Sequence, residues 1–193
     1  MLSCFSYYLI YLKTHLPFIT EYGRIWIIGS SIVKQAYEHT SKRPTGENLG
    51  LDRYGYLVTW IGHSGMKWRE LTNMLTTMVS ALGVPDILII HCGANDIGQE
   101  PCGKLLHEMK VSFINLIWYI VPGCTIIFSQ MLPRLSWRYS DNVEKMERTR
   151  KRINKGVRSF LYKRRCYVIK HPDFDDKLKT MFSDDGVHLS FIG

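Results

Sequence analysis

The sequence predicts an α/β fold of three layers, with helices on both faces of a mostly parallel, five-stranded sheet of flavodoxin-like type. Short runs rich in β-branched and aromatic residues alternate with longer stretches of helical periodicity. Most runs end in a turn of small and polar residues before the next helix begins. Alternation of this kind is met by parallel strands joined through right-handed crossovers.

Composition sets the frame. A chain of 193 residues that is 46% hydrophobic and 22% charged suits one globular domain with a sizeable core, not a disordered tract. The five cysteines, Cys4, Cys92, Cys102, Cys124 and Cys166, are scattered without a C-x-x-C pair. Neither a disulfide framework nor a zinc site is indicated, and a reducing, cytoplasmic setting is expected. With no G-x-G-x-x-G fingerprint and no P-loop, no nucleotide cofactor is expected either.

Residues 1–22 are apolar and aromatic, but Lys13, His15 and Pro17 interrupt them and no basic leader or small-residue cleavage site accompanies them. They read as an N-terminal extension to a domain covering 23–193, with a signal or anchor as the competing reading. The first strand begins at Arg24 and stops at Gly29-Ser30-Ser31, and Ile32 to Glu38 reads as helix. A serine at this corner has its Oγ at the carboxyl edge of the sheet and its N–H at a helix N-terminus, although a helix cap alone would also explain Ser30 or Ser31. Ser41 to Asp52, with Pro44, Gly46 and Gly50, reads as loop, and Tyr56 to Ile61 as the second strand. Gly62-His63-Ser64-Gly65 forms a turn before a helix from Met66 to Leu82, with Trp68, Leu71, Leu75, Met78 and Leu82 at helical spacing.

Asp86 to His91 is the clearest buried strand, followed by Cys92-Gly93-Ala94-Asn95-Asp96 and a helix from about Gly103 to Ile120. Pro122 and Gly123 precede a fourth strand, Thr125 to Ser129. A loop then leads to a basic helix from about Asn142 to Tyr162, and Tyr167 to Lys170 is the fifth strand. The loops Ser41–Asp52 and Pro133–Asn142 are expected to shape any pocket.

The formal net charge is +8, much of it in twelve cations between Arg134 and Arg165, with Arg150 among them. The favoured reading is a solvated helix face, with Ile153, Val157 and Leu161 as its buried stripe and Glu144 and Glu147 offsetting part of the charge. The competing reading is an attraction for the phosphates of nucleic acid or anionic lipid.

Ser31, Gly65, Asn95 and the pair Asp185 and His188 all follow strands, so a parallel sheet carries them to one carboxyl edge. Singly, each has a plain structural explanation: Gly65 and Gly93 as turn residues, Asn95 and Asp96 as caps of the following helix, Asp185 and His188 as a surface contact. Together, Gly29-Ser30-Ser31, Gly62-His63-Ser64-Gly65, Gly93-Ala94-Asn95-Asp96 and Asp185-Gly186-Val187-His188 match in order the four blocks of the SGNH hydrolase superfamily. The resemblance runs from about Arg24 to the end. Within that superfamily of GDSL-type esterases and lipases, the sequence looks most like the small intracellular acetylhydrolases and the esterase domain of some vertebrate LINE-type retrotransposons.

The resemblance implies a serine ester hydrolase acting on a small acyl or acetyl ester without metal or cofactor. Ser31 would be the nucleophile, His188 its base and Asp185 the orienting acid, with the N–H groups of Ser31 and Gly65 and the amide of Asn95 as oxyanion hole. The alternative is an inactive binding module of retroelement origin that keeps the fold and meets nucleic acid through the basic helix. Two departures stand out: Ser30 replaces the usual aspartate of the first block, and Gly193 closely follows the last block, where the superfamily has a further helix. Lack of that helix is expected to uncover apolar surface, which N-terminal residues such as Phe5 and Tyr8 would partly cover. His63 and His91 read as polar neighbours of the site and Cys92 as a small buried residue.

Overall fold

The computed structural model describes residues 22–164, 166–176 and 178–190, so the expected extension, apart from Tyr22, lies outside the described residues. Five strands, β1 (Gly23–Gly29), β2 (Tyr56–Gly62), β3 (Ile87–His91), β4 (Thr125–Ser129) and β5 (Tyr167–Ile169), form one sheet in the order β2-β1-β3-β4-β5. Every pairing is parallel. The long helices are α1 (Ser31–Thr40), α2 (Trp68–Leu82), α3 (Cys102–Asn115) and α4 (Val143–Tyr162), followed by single turns α5 (Asp173–Asp176) and α6 (Leu178–Met181).

Alternating strand side chains divide the core in two. On one face Trp26, Ile28, Leu88, Ile90, Ile126 and Phe128 pack with apolar residues of α2, α3 and α4. On the other, Ile25, Ile27, Ile87, Ile89 and Ile127 pack with Ile32, Val33 and Ala36 of α1 and with Leu49, Phe174 and Phe182. Those five isoleucines are at most 1% exposed. Buried on both faces, β3 reads as a continuous apolar run, as a central parallel strand must.

The basic helix α4 has the expected stripe, with Ile153, Val157 and Leu161 fully buried. The solvated-face reading fails at two of its cations, because Arg134 and Arg150 are only 6% and 5% exposed. Arg150 pairs with Glu147 at 2.7 Å and donates from Nη1 to the Met131 carbonyl at 2.9 Å. Asn154 adds two bonds, accepting from the Met131 N–H and donating to its carbonyl. These bonds fix the start of the β4–α4 loop to the helix.

The helix expected over Gly103–Ile120 is α-helical only to Asn115 and closes as a π-helical turn over Leu116–Ile120. The loop after α1 runs along the outer edge of β2, where Asn48 Oδ1 accepts from the Val58 N–H and the Glu47 carbonyl from the Trp60 indole. It thereby covers an edge strand and does not shape the cleft described below. Among the described residues, no helix is long and apolar enough to cross a membrane.

Candidate active site

The site lies beyond the carboxyl ends of β1, β2 and β3, where the strand order reverses and open sheets leave a crevice. Gly29, Gly62 and His91 stand opposite one another in the register, so three strands end level. A Cβ on Gly29 would lie 2.2 Å from the His91 carbonyl oxygen, and one on Gly62 would lie 2.4 Å from the Lys34 nitrogen. Gly29 thus lets β3 close on the end of β1, and Gly62 lets α1 close on the end of β2. Ser30 occupies the N-cap of α1 without a side-chain cap bond, so the helix-cap explanation does not account for it. Ser31 opens the helix, and its Oγ lies 2.9 Å from His188 Nε2.

Asp185 and His188 share one turn. Asp185 Oδ1 accepts the N–H groups of Val187 and His188, each at 2.9 Å, and Oδ2 meets His188 Nδ1 at 2.5 Å. Desolvation raises the Asp185 pKa, but the backbone N–H groups and the His188 side chain outweigh it and bring it down to about 2. The carboxylate is therefore ionised at neutral pH and orients the imidazole. The turn hangs from the β4–α4 loop, since the Gly186 carbonyl accepts from the Leu135 N–H at 2.8 Å and the Ser136 N–H at 3.3 Å.

Gly65 has φ of +75°, with no atom within 4 Å of where a Cβ would stand, so its constraint within the chain is conformational. Asn95 sits in a 3₁₀ turn, Ala94–Asp96. Its Nδ2 donates to the Met66 carbonyl and its Oδ1 accepts from Arg134 Nη2, both at 3.0 Å, so both ends of the amide are fixed. Neither Asn95 nor Asp96 caps α3, whose N-cap is Pro101. Asp96 instead accepts the Trp68 N–H at 3.0 Å, satisfying the first turn of α2. Burial raises the Asp96 carboxyl to about 6 against the opposing Trp68 bond and Lys67 charge.

A cleft of about 300 Å³ joins Ser31, Gly65, Asn95, Asp185 and His188, bringing every singled-out residue to one place. Lys67, Arg134, Trp137, Arg138 and Tyr139 complete much of its wall. Arg134, Trp137, Arg138 and Tyr139 lie in the Pro133–Asn142 loop expected to shape the pocket, although none of the five was singled out as a site residue. The available signal was Trp137 beside Arg134 and Arg138 in the loop after β4, where the aromatic ring stands 5.3 Å from the Arg134 guanidinium. Burial, with Arg138 nearby, lowers Arg134 to about 10 against the fields of Glu147 and Asp185, so it remains a cation at neutral pH.

His91 points away from the cleft into a buried chain, Nδ1 to Ser129 Oγ at 2.9 Å and Ser129 Oγ to His171 Nε2 at 2.8 Å. Burial, with lesser help from Arg134, lowers His91 to about 4; burial and then His91 lower His171 to about 3. Cys92 is 2% exposed, and burial, joined by Asp96, pushes its thiol far up. His63 is exposed and does not line the cleft. No group of three metal-ligating side chains occurs among the described residues.

No family model matches the sequence, and no curated relative does. Solved structures match in shape. A GDSL-like lipase from Bacteroides thetaiotaomicron superposes with a TM-score of 0.65 at 14% identity, over 99% of this chain and 91% of its own. A member of the lipolytic G-D-S-L family from Veillonella parvula gives 0.64 at 15% identity, over 86% and 89%. The acetylxylan esterase Axe2 from Geobacillus stearothermophilus gives 0.66 at 19% identity, over 88% of both chains. With its all-parallel sheet and helices on both faces, the chain has the three-layer fold of the SGNH hydrolases, the group of the GDSL-type lipases and esterases.

Proposed function

We propose that the protein is a serine ester hydrolase that cleaves a small acyl ester through an acyl-enzyme. The observation that carries this reading is the relay Ser31–His188–Asp185, with Oγ to Nε2 at 2.9 Å and Nδ1 to a carboxylate that stays ionised. His188 takes the Ser31 proton as Oγ attacks the acyl carbonyl, then returns it to the departing alcohol. Asp185 holds the ring in the tautomer with Nδ1 protonated and stabilises the imidazolium. The oxyanion is received by the N–H groups of Ser31 and Gly65 and by the second N–H of Asn95 Nδ2, whose first is engaged by the Met66 carbonyl. Water then enters and, with His188 as base, releases the acid. The fold likeness supports the reading, and catalytic mutants of the Geobacillus acetylxylan esterase exchange a serine and an aspartate.

The test is hydrolysis of p-nitrophenyl acetate by wild type, Ser31→Ala and His188→Ala, with equal folding checked by circular dichroism. Both variants are expected to lose about 10³-fold or more in kcat. Ser31→Ala with wild-type turnover would sink the proposal.

A second reading, association with nucleic acid, draws support from the outer face of α4. Lys145, Lys151, Arg152 and Lys155 are exposed there and make no ion pair with any described residue. It predicts binding of single-stranded RNA that weakens steeply from low to moderate salt. Absence of binding at low salt removes it.

A further inference from the structure

The cleft holds a cation with no counterion. Arg134 is 6% exposed and lines the cleft, yet among the described residues no carboxylate pairs with its guanidinium. The carboxylates in its field are committed elsewhere: Glu147 accepts the Arg134 backbone N–H and pairs with Arg150, and Asp185 holds His188. Its hydrogen bonding is also incomplete. Nη2 reaches Asn95, whereas Nε is buried without an acceptor. The neighbouring Trp137 Nε1, on the same wall, is a second buried donor without one. Arg138, exposed on the same cleft, adds a further positive charge. Arg134 Nε and Trp137 Nε1 are shut off from the open cleft, so what an oxyanionic ligand meets on this wall is the unpaired positive charge, and the outer end of a guanidinium offers the donor geometry for it.

We infer that this wall is an anion subsite, and that the preferred substrate is an ester bearing a carboxylate or phosphate close to the scissile bond, bound by Arg134 with Arg138 at the mouth. The closeness follows from Asn95, which accepts from Arg134 through Oδ1 and, in the proposed mechanism, donates through Nδ2 to the carbonyl under attack. The inference rests on the hydrolase reading for the word substrate, but the subsite itself does not need turnover.

The experiment therefore has two arms. In the first, inorganic phosphate is titrated against wild type, Arg134→Gln and Arg134→Lys, with the rise in melting temperature as readout. Wild type is expected to be stabilised, and Arg134→Gln to need about tenfold more phosphate or beyond for the same rise, with Arg134→Lys between them. In the second, kcat/KM is compared for 4-acetoxybenzoate, 4-acetoxyphenyl phosphate and the uncharged methyl 4-acetoxybenzoate. Wild type is expected to favour one or both anionic esters by about tenfold, the better of the two naming the anion, and Arg134→Gln to abolish the preference. Should Arg134→Gln not fold, Arg138→Gln serves in both arms, with a loss of about threefold expected from its exposed position. Phosphate binding that depends on Arg134 in a chain that cleaves no ester upholds the subsite and refutes the hydrolase. Cleavage of the methyl ester with no anion preference and no phosphate effect overturns the subsite and leaves the hydrolase standing.

Discussion

Asp96→Asn isolates a burial cost that can be worked out in advance. The Asp96 carboxyl titrates at about 6 in the folded protein against an ordinary value of 3.8, and desolvation is the main cause. Keeping it ionised in the fold at neutral pH thus opposes stability by about 3 kcal/mol. The sign follows from proton binding. Between pH 6 and 3.8 the folded chain holds this proton more tightly than the unfolded chain, so the Asp96 contribution to stability rises as the pH falls through that window. Asparagine keeps an oxygen acceptor for the Trp68 N–H, now met at 3.0 Å by the carboxylate, and carries no charge. Urea unfolding at pH 8, 6 and 4 is therefore expected to show Asp96→Asn more stable than wild type by about 3 kcal/mol at pH 8, with the advantage shrinking below pH 6 and nearly gone at pH 4. A difference that stays constant across the series would refute desolvation as the cause, and a variant less stable at pH 8 would show that the negative charge itself holds α2.

Other outcomes follow from the same geometry. His91 titrates at about 4 in the fold against 6.5 ordinarily, so the unfolded chain takes up its proton first and stability is lost as the pH falls through that interval. In the Asp96→Asn background, where no opposing gain masks it, urea unfolding is expected to show a stability loss of several kcal/mol as the pH falls from 6.5 to 4, shared between His91 and the likewise buried His171, whose titration is lowered in the same sense. Asn95→Ala removes a proposed oxyanion donor and is expected to lower kcat on p-nitrophenyl acetate by about 10² to 10³ with little change in KM. Gly186→Ala places a Cβ 2.9 Å from Leu135 Cβ at φ of +68°, spreading the turn of Asp185 and His188 from the loop that carries it. It is expected to reduce the melting temperature in line with a loss of about 1–3 kcal/mol and to cut kcat more than KM changes, read from melting curves and steady-state kinetics.

The residues legible in the sequence were those whose role follows from local pattern. Strands β1, β3 and β4 announce themselves as apolar runs because both their faces are buried, and Ser31, Gly65 and Asn95 stand just past the ends of β1, β2 and β3, whereas Asp185 and His188 follow α6 and were marked by their D-x-x-H spacing. What was not legible depends on folding distant segments together. The block from Arg134 to Arg165 has one composition throughout, yet Arg134 and Arg150 turn inward because Asn95, Glu147 and the Met131 carbonyl await them. The contact of His91, Ser129 and His171 spans three strand ends more than thirty residues apart in the chain, beyond the reach of any periodicity. The plain structural reading of Asp96 was a cap for the helix after it, yet it serves the helix before it, because a carboxylate satisfies whichever helix start the packing brings near.

The level ending of β1, β2 and β3 also divides the chain into stretches whose length is free and stretches whose length is fixed. One residue inserted before Gly29 would invert the phase of β1, sending Ile25 and Ile27 from the α1 layer to the α2 layer and displacing Ser31 by about 3.3 Å along the strand. Two residues would restore the phase, yet carry the hydroxyl about twice as far from an imidazole that it now meets at 2.9 Å. The link from α1 to β2, by contrast, enters the sheet at its amino edge, opposite the cleft, and can lengthen or shorten without moving Ser31. Insertions and deletions compatible with an intact site should therefore gather at that edge, giving this architecture one end that drifts in length and one that keeps count.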